Sequence, residues 1–426
     1  MQTARNTHIP PIERSGSPMR HIDLAESRVN RSFTLAIACV TLMLLVLRMP
    51  TRLADGFLWA EDSPIFLKDA GELGLASIFK AYAGYFHLLP RLIAYVQVQW
   101  IGIDSAPHVL VWVSALVTAL SCAAIFAIAS RWQVFAGSRR YGAALFALAP
   151  VIIPQPGEVY LNITNLQWIV APLMFALVLE TVGSPRYPAS LPPIARGALL
   201  TLLCILALTG PFALIVVPFA LILMAYRRSD GLRLEAVVLL AACAIQLGAV
   251  LNAGEVSDTA RSFKYLRTFS RNFVGGIFFT DEFKAAFARF LSPMSWLIVV
   301  AIGVLALLSP KRLWIFALLG LSIGLWAMGI LRVNDPELIL TPTSLGARYY
   351  FVPEVLVVWS LALLCVTGSR WVLWVPCSLL AMMLTTTAMR FPVERFEAPS
   401  VVQKGDDAYS VKSAPEGWGA EIDPPE

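Results

Sequence analysis

Runs of about twenty apolar residues recur from residue 33 to residue 390 of this 426-residue chain. Each is long enough to cross the ~30 Å hydrocarbon core of a bilayer as a helix. That repetition constrains the fold more than any motif. Charged residues are only 14% of the chain, hydrophobic residues 58%, and the mean hydropathy is +0.69, whereas a soluble domain carries about 25% charged residues. The sequence therefore predicts an all-α polytopic membrane protein in which the helices form one bundle, so that length does not count domains.

Cys39, Cys122, Cys204, Cys243, Cys365 and Cys377 all lie in apolar runs, without the spacing of a metal or redox site. The net charge of +5 comes from basic residues scattered over short loops, where they report topology and not nucleic-acid binding.

Residues 1–32, with five arginines and no apolar periodicity, read as a cytoplasmic tail. The run at 33–50 lacks a small-residue cleavage site and reads as a retained first span. Two choices then set the topology. Residues 88–103 are short for a span and are interrupted by Arg91, Gln97 and Gln99, which predicts a helix at, or dipping into, the outer interface. Residues 197–226 are too long for one span and break at Thr209-Gly210-Pro211, which predicts a hairpin.

With these choices Arg131, Arg139, Arg140, Arg186, Arg196, Arg227, Arg228, Arg233, Lys311, Arg312 and Arg370 fall inside, as the positive-inside rule asks. The map has about eleven spans: 33–50, 107–130, 140–154, 162–181, 197–209, 211–226, 234–251, 294–310, 313–331, 351–368 and 371–389. The amino end is inside. Outer loops cover 51–106, 252–293 and 332–350, and 391–426 is an extracytoplasmic tail. For that tail two readings stay open: a fold over the outer loops around Trp418, or a disordered segment.

Polar residues concentrate outside, above all between Trp59 and Arg91. Glu61-Asp62 fits a general base or metal ligand, because a carboxylate is ionised at neutral pH and accepts a proton from an attacking hydroxyl. It equally fits a helix cap ahead of Pro64. Trp59, Tyr82 and Tyr85 suit stacking on a sugar ring or seating at the membrane interface. His87 and Arg91 stand one helical turn apart, and Arg348-Tyr349 opens another span. Cations there suit a phosphate at headgroup level, or else snorkelling or a salt bridge to a carboxylate such as Glu158 or Glu354.

Arg261, Lys264, Arg267 and Arg271 fall on one arc of a helix opposite Phe263, Leu266, Phe269 and Phe273. That predicts a basic amphipathic helix lying in the membrane surface, free to bind an anionic headgroup or simply to anchor. Glu158, Asn162, Asn165 and Trp168, with Gln167, make a polar patch fit for sugar hydroxyls or for helix capping. The sequon Asn162-Ile163-Thr164 abuts the membrane and is set aside. The middles of the spans carry almost no ionisable residue, whereas ion-coupled transporters place theirs at the midplane.

An amino-inside first span, a large outer loop with the acidic pair, an interfacial helix and a further bundle resemble the GT-C glycosyltransferases. The strings WAED, YAGYFHLLPR, GEVYLNITNLQW and GARYYFVP look like those of uncharacterised bacterial membrane proteins of this sort. The resemblance implies a GT-C-like bundle whose large first outer loop contains interfacial helices. It also implies sugar transfer, with inversion, from a polyprenyl-phosphate carrier to an envelope glycan, lipid or protein acceptor on the outer face of the cytoplasmic membrane. Glu61 or Asp62 then matches the catalytic acid of the first loop. His87, Arg91, Arg348, Tyr349, Arg261 and Lys264 are assigned to the donor phosphate. Trp59, Tyr82, Tyr85, Glu158, Asn162, Asn165 and Trp168 are assigned to sugar and acceptor.

A divalent ion, Mg or Mn, is left open, with phosphate oxygens to complete its shell. His87 is followed by Leu88-Leu89 before Pro90, a departure from the family's His-Pro-Pro-Leu-type pattern, and no WWDYG-type motif is present. The alternatives are a flippase or transporter of a lipid-linked saccharide, with a polar path across the bundle, and a non-catalytic subunit, with Glu61, Asp62 and Arg348 far apart.

Overall fold

A computed structural model of the chain describes residues 24–135, 140–183, 191–226, 234–253, 265–332, 346–368, 372–391, 400–405 and 408–423. Every expected span coincides with a helix: α1 (Leu24–Arg48), α2 (Ala106–Ala129), α3 (Arg140–Ile152), α4 (Leu166–Gly183), α5 (Pro193–Ala207), α6 (Ala213–Tyr226), α7 (Leu234–Ala253), α8 (Leu291–Leu308), α9 (Arg312–Arg332), α10 (Arg348–Thr367) and α11 (Trp374–Arg390). Among the described residues six helices are long and apolar enough to cross a membrane: α1, α2, α7, α8, α9 and α10. The first helix starts at Leu24, ahead of the expected boundary at 33.

Side-chain contacts fix how the helices run. Along α3 and α10, Trp359 Nε1 donates to Phe146 O at 2.8 Å and Gln155 Nε2 to Glu354 Oε2 at 3.0 Å, so the two are antiparallel. Trp359 also stacks on Phe146 with ring centroids 3.9 Å apart. Between α9 and α10 the Ser309 and Thr367 hydroxyls meet at 3.0 Å, and Ser322 Oγ donates to Pro353 O at 2.8 Å, again antiparallel. Helix α10 is thereby enclosed and almost wholly buried from Tyr350 to Val366.

The break at Thr209–Pro211 is a reversal. Near the start of α5, Arg196 Nε meets Glu235 Oε1 at 3.0 Å; near its end, Gln246 Nε2 donates to Ala207 O at 3.4 Å and Gly210 O at 2.9 Å. Equal lengths of chain separate the two contacts on α5 and on α7, so these helices are parallel and α6 runs back between them. Gly210 is at φ +90°, and a Cβ there would lie 2.7 Å from Gln167 Oε1, so the turn requires glycine.

The described parts of the segments assigned above to the outside gather at one end of the bundle. At the other end Glu180 lies 3.5 Å from Arg131 and accepts from Trp132 Nε1, and Glu235 holds Arg196.

One element departs from the all-α expectation. The tail forms an antiparallel sheet of β1 (Val401–Lys404), β2 (Tyr409–Ser413) and β3 (Trp418–Ile422), in that order, docked on the first loop. Its short, alternating strands left no hydropathy signal beside helices of twenty apolar residues. Residues 88–101 are a short helix (Leu88–Val96) ending in a wide turn, with Arg91 and Gln97 buried and Trp100 exposed.

Candidate functional site

The site is built on an irregular segment, residues 153–165, that lies entirely buried at the end of α3. Pro154 and Pro156 stop the helix and leave carbonyls that water cannot reach. Arginines satisfy them. Arg48 donates to Val151 O at 3.2 Å, Ile153 O at 3.3 Å and Gln155 O. Arg52 donates to Gly157 O at 2.9 Å and Tyr160 O at 3.1 Å, and Arg390 to Pro154 O at 2.5 Å. Two of the assigned sugar ligands serve the same purpose: Asn162 Nδ2 donates to Glu158 O and Tyr160 O, and Asn165 Nδ2 to Glu158 O. Asn162 is fully buried, which closes it to glycosylation.

The acidic pair divides into two roles. Asp62 is fully buried; its Oδ1 accepts from Thr164 N at 2.9 Å and Thr164 Oγ1 at 2.6 Å, and its Oδ2 from Trp59 N at 2.8 Å. It ties the first loop to the 153–165 segment, and burial pushes its carboxyl up to about 7 against those three donors. Glu61 points elsewhere. Its Oε2 is buried with no hydrogen-bond partner among the described residues.

Arg348 opens α10 and grips Glu158 twice, through Nη1 to Oε1 at 2.9 Å and through its backbone N–H to Oε2 at 2.9 Å. Glu158 is fully buried, and burial lifts its carboxyl to about 7 while the guanidinium favours the ion. Glu61 acts electrostatically on Glu158, on Arg348 and on Tyr82, and Tyr85 acts on Arg348. Burial and the Glu61 charge push the Tyr82 phenol up to about 12, which keeps it a neutral donor. Trp168 sets its ring edge-on to Tyr349 at 5.4 Å, and its Nε1 is likewise buried and unpartnered. Glu61, Glu158, Arg348, Tyr82, Tyr85, Tyr349 and Trp168 thus belong to one polar cluster.

Other assigned residues hold the loop. Tyr82 and Tyr85 exchange backbone bonds across Ala83-Gly84, both at positive φ, in a tight hairpin turn. That turn stacks Tyr85 on His87, with centroids 4.6 Å apart. His87 is buried, and Thr209 Oγ1 accepts from Leu89 N at 3.0 Å just after it. Gln246 Oε1 accepts from Phe86 N at 2.8 Å, which fastens the loop to α7. Arg91, assigned to phosphate, instead pairs with Asp69 Oδ2 at 2.9 Å, and Asp69 Oδ1 meets Lys80 Nζ at 2.6 Å. Trp59 is buried against Phe57, at 6.2 Å, and lies at the contact with the tail.

Arg261 and Lys264 lie outside the described residues. The segment that follows them turns its apolar side into protein: Phe269 packs on Trp326 at 5.1 Å and Phe273 on Trp326 at 6.0 Å. Phe269 and Phe273 thus face protein, while Leu266 on the same arc is exposed.

Sequence reasoning missed Thr164, Asp69 and the carbonyl-binding pair Arg48 and Arg52. The four-residue spacing of those arginines at the end of the first span was the available signal. Among the described residues no three His, Cys, Asp or Glu side chains gather to hold a metal. With Glu158 engaged by Arg348, Glu61 alone is a poor donor set for a divalent cation that takes six or more oxygens. A scan against protein-family models and a search of curated proteins find no match to this chain.

Proposed function

We propose that the protein is an integral membrane glycosyltransferase with about eleven spans. It moves a sugar from a polyprenyl-phosphate carrier to an envelope glycan, lipid or protein acceptor on the extracytoplasmic face of the inner membrane. The observation that carries this reading is the pairing of an unpartnered, buried Glu61 carboxylate oxygen with the Arg348–Glu158 ion pair in one cluster. A membrane protein that leaves such an oxygen without a partner sacrifices stability at that point, which suits a group that meets a substrate hydroxyl.

In the proposed step the acceptor hydroxyl oxygen attacks the anomeric carbon and forms the new C–O bond, while its proton passes to Glu61. The bond from the anomeric carbon to the phosphate oxygen breaks on the opposite face, giving inversion. The released polyprenyl phosphate keeps that electron pair, and its added negative charge is met by Arg348, whose side chain remains 29% exposed. Tyr82 as a neutral donor and the Trp168 indole N–H suit sugar hydroxyls. No step is routed through a metal. The orientation is supported by Arg131, Arg140, Arg196, Lys311 and Arg312 at the opposite end of the bundle.

The test is purified protein in liposomes with a panel of short-chain polyprenyl-phosphate hexoses and pentoses labelled in the sugar. Label released from the carrier to an acceptor or to water supports the transferase. Label that crosses the bilayer still on its carrier supports the flippase, and label that neither leaves its carrier nor crosses supports a non-catalytic subunit.

A further inference from the structure

The C-terminal sheet touches the first loop on both sides of Glu61. Ala60 N–H donates to Ala414 O, and Ala414 N–H donates to Leu58 O at 2.9 Å. Leu58 N–H donates to Ser400 Oγ at 2.6 Å, and the Ser63 and Ser413 hydroxyls are hydrogen-bonded. Below these contacts Val411 and Ile422 are buried, and Ile422 Cγ2 comes so close to Gly71 that an added Cβ would lie 3.1 Å from it.

We propose that the C-terminal sheet, β1 to β3, is a positioning element that fixes the direction of the Glu61 carboxylate. The inference rests on the reading of Glu61 as the site's base. Ala60, immediately before it, is held at φ +26°, a conformation an L-residue adopts only where its surroundings impose it. Its N–H is bound by Ala414, and the same residue's N–H takes the Leu58 carbonyl, so the tail supplies the imposing bonds. On the other side Asp62 is held by Thr164. Glu61 thus stands between one anchor from the tail and one from the 153–165 segment. This explains how a half-exposed loop keeps a carboxylate oxygen buried without a bond of its own.

The test is hydrogen exchange and carbodiimide labelling of the full-length protein in detergent, compared with Ile422→Asp, Ile422→Val and the double variant Ser400→Ala/Ser413→Ala. With the sheet undocked by Ile422→Asp, the Leu58 and Ala60 amides exchange at least about tenfold faster and Glu61 labels faster, while the amides of α4 and α10 keep their protection. Ile422→Val behaves as the native chain. The double variant, which leaves every apolar residue in place, shows a smaller rise at the same two amides and decides the matter if Ile422→Asp unfolds the bundle. No rise at Leu58 and Ala60 in either variant overturns the proposal. Where transfer is measurable, undocking lowers kcat with KM little changed. A native chain that transfers no sugar would refute the transferase reading and leave the exchange result standing.

Discussion

Arg348 holds Glu158 through two bonds of 2.9 Å, one from its guanidinium and one from its own backbone N–H, at the first residue of the most buried of the six membrane-length helices. The pair therefore does two things at once. It anchors the start of α10 to the 153–165 segment, and it leaves the guanidinium within electrostatic reach of Glu61. Replacing Arg348 by Ala strands a fully buried carboxylate, and breaking such a pair costs about 3–5 kcal/mol. The Arg348→Ala protein is expected to unfold at a clearly lower temperature in detergent than Arg348→Lys, and both are expected to lose sugar transfer.

Asp62 is a structural acid, and its stability contribution has a defined sign. Burial raises its folded value from 3.8 to about 7, so between those values the folded chain binds more protons than the unfolded one. Stability from this group is full at the acid end of that window and is lost as pH rises through about 7. Thermal unfolding followed across that range should show this slope in the native protein and a flatter one in Asp62→Asn.

Gln246 supplies four contacts across the reversal between α5 and α6: it accepts from Phe86 N and donates to Phe86 O, Ala207 O and Gly210 O. Gln246→Leu keeps the volume and leaves those groups unpaired, at about 1–3 kcal/mol for each one that stays buried. The expected result is a lower unfolding temperature, with faster hydrogen exchange at Phe86.

Gly210→Ala tests the same turn from the other side. The position needs φ +90° and lies against Gln167, so the added methyl is both strained and crowded. A loss of more than about 1 kcal/mol is expected, read as a drop in unfolding temperature, with Gly197→Ala, where nothing lies within 4 Å, as the neutral control.

The helices were legible because each is a long apolar run, and the break at Thr209-Gly210-Pro211 was legible because two short runs meet at residues that reverse a chain. That Arg348 faces a carboxylate was legible as one of two options; that the partner is Glu158 and not Glu354 depends on where α3 and α10 cross. The functions of Asp62 and Arg91 were not legible. Thr164 and Asp69, which engage them, look like ordinary loop residues until the chain folds. The tail was least legible of all, since its sheet is held by hydrogen bonds to residues more than three hundred positions away.

The central claim is that Glu61 accepts the proton in sugar transfer beside Arg348. It is tested most directly by Glu61→Gln, which keeps the shape of the side chain and removes its charge. In liposomes supplied with the labelled polyprenyl-phosphate sugars, the account predicts a folded protein with native thermal stability and a transfer rate lower by a factor of about 10²–10⁴. A Glu61→Gln protein that transfers sugar at the native rate would contradict it.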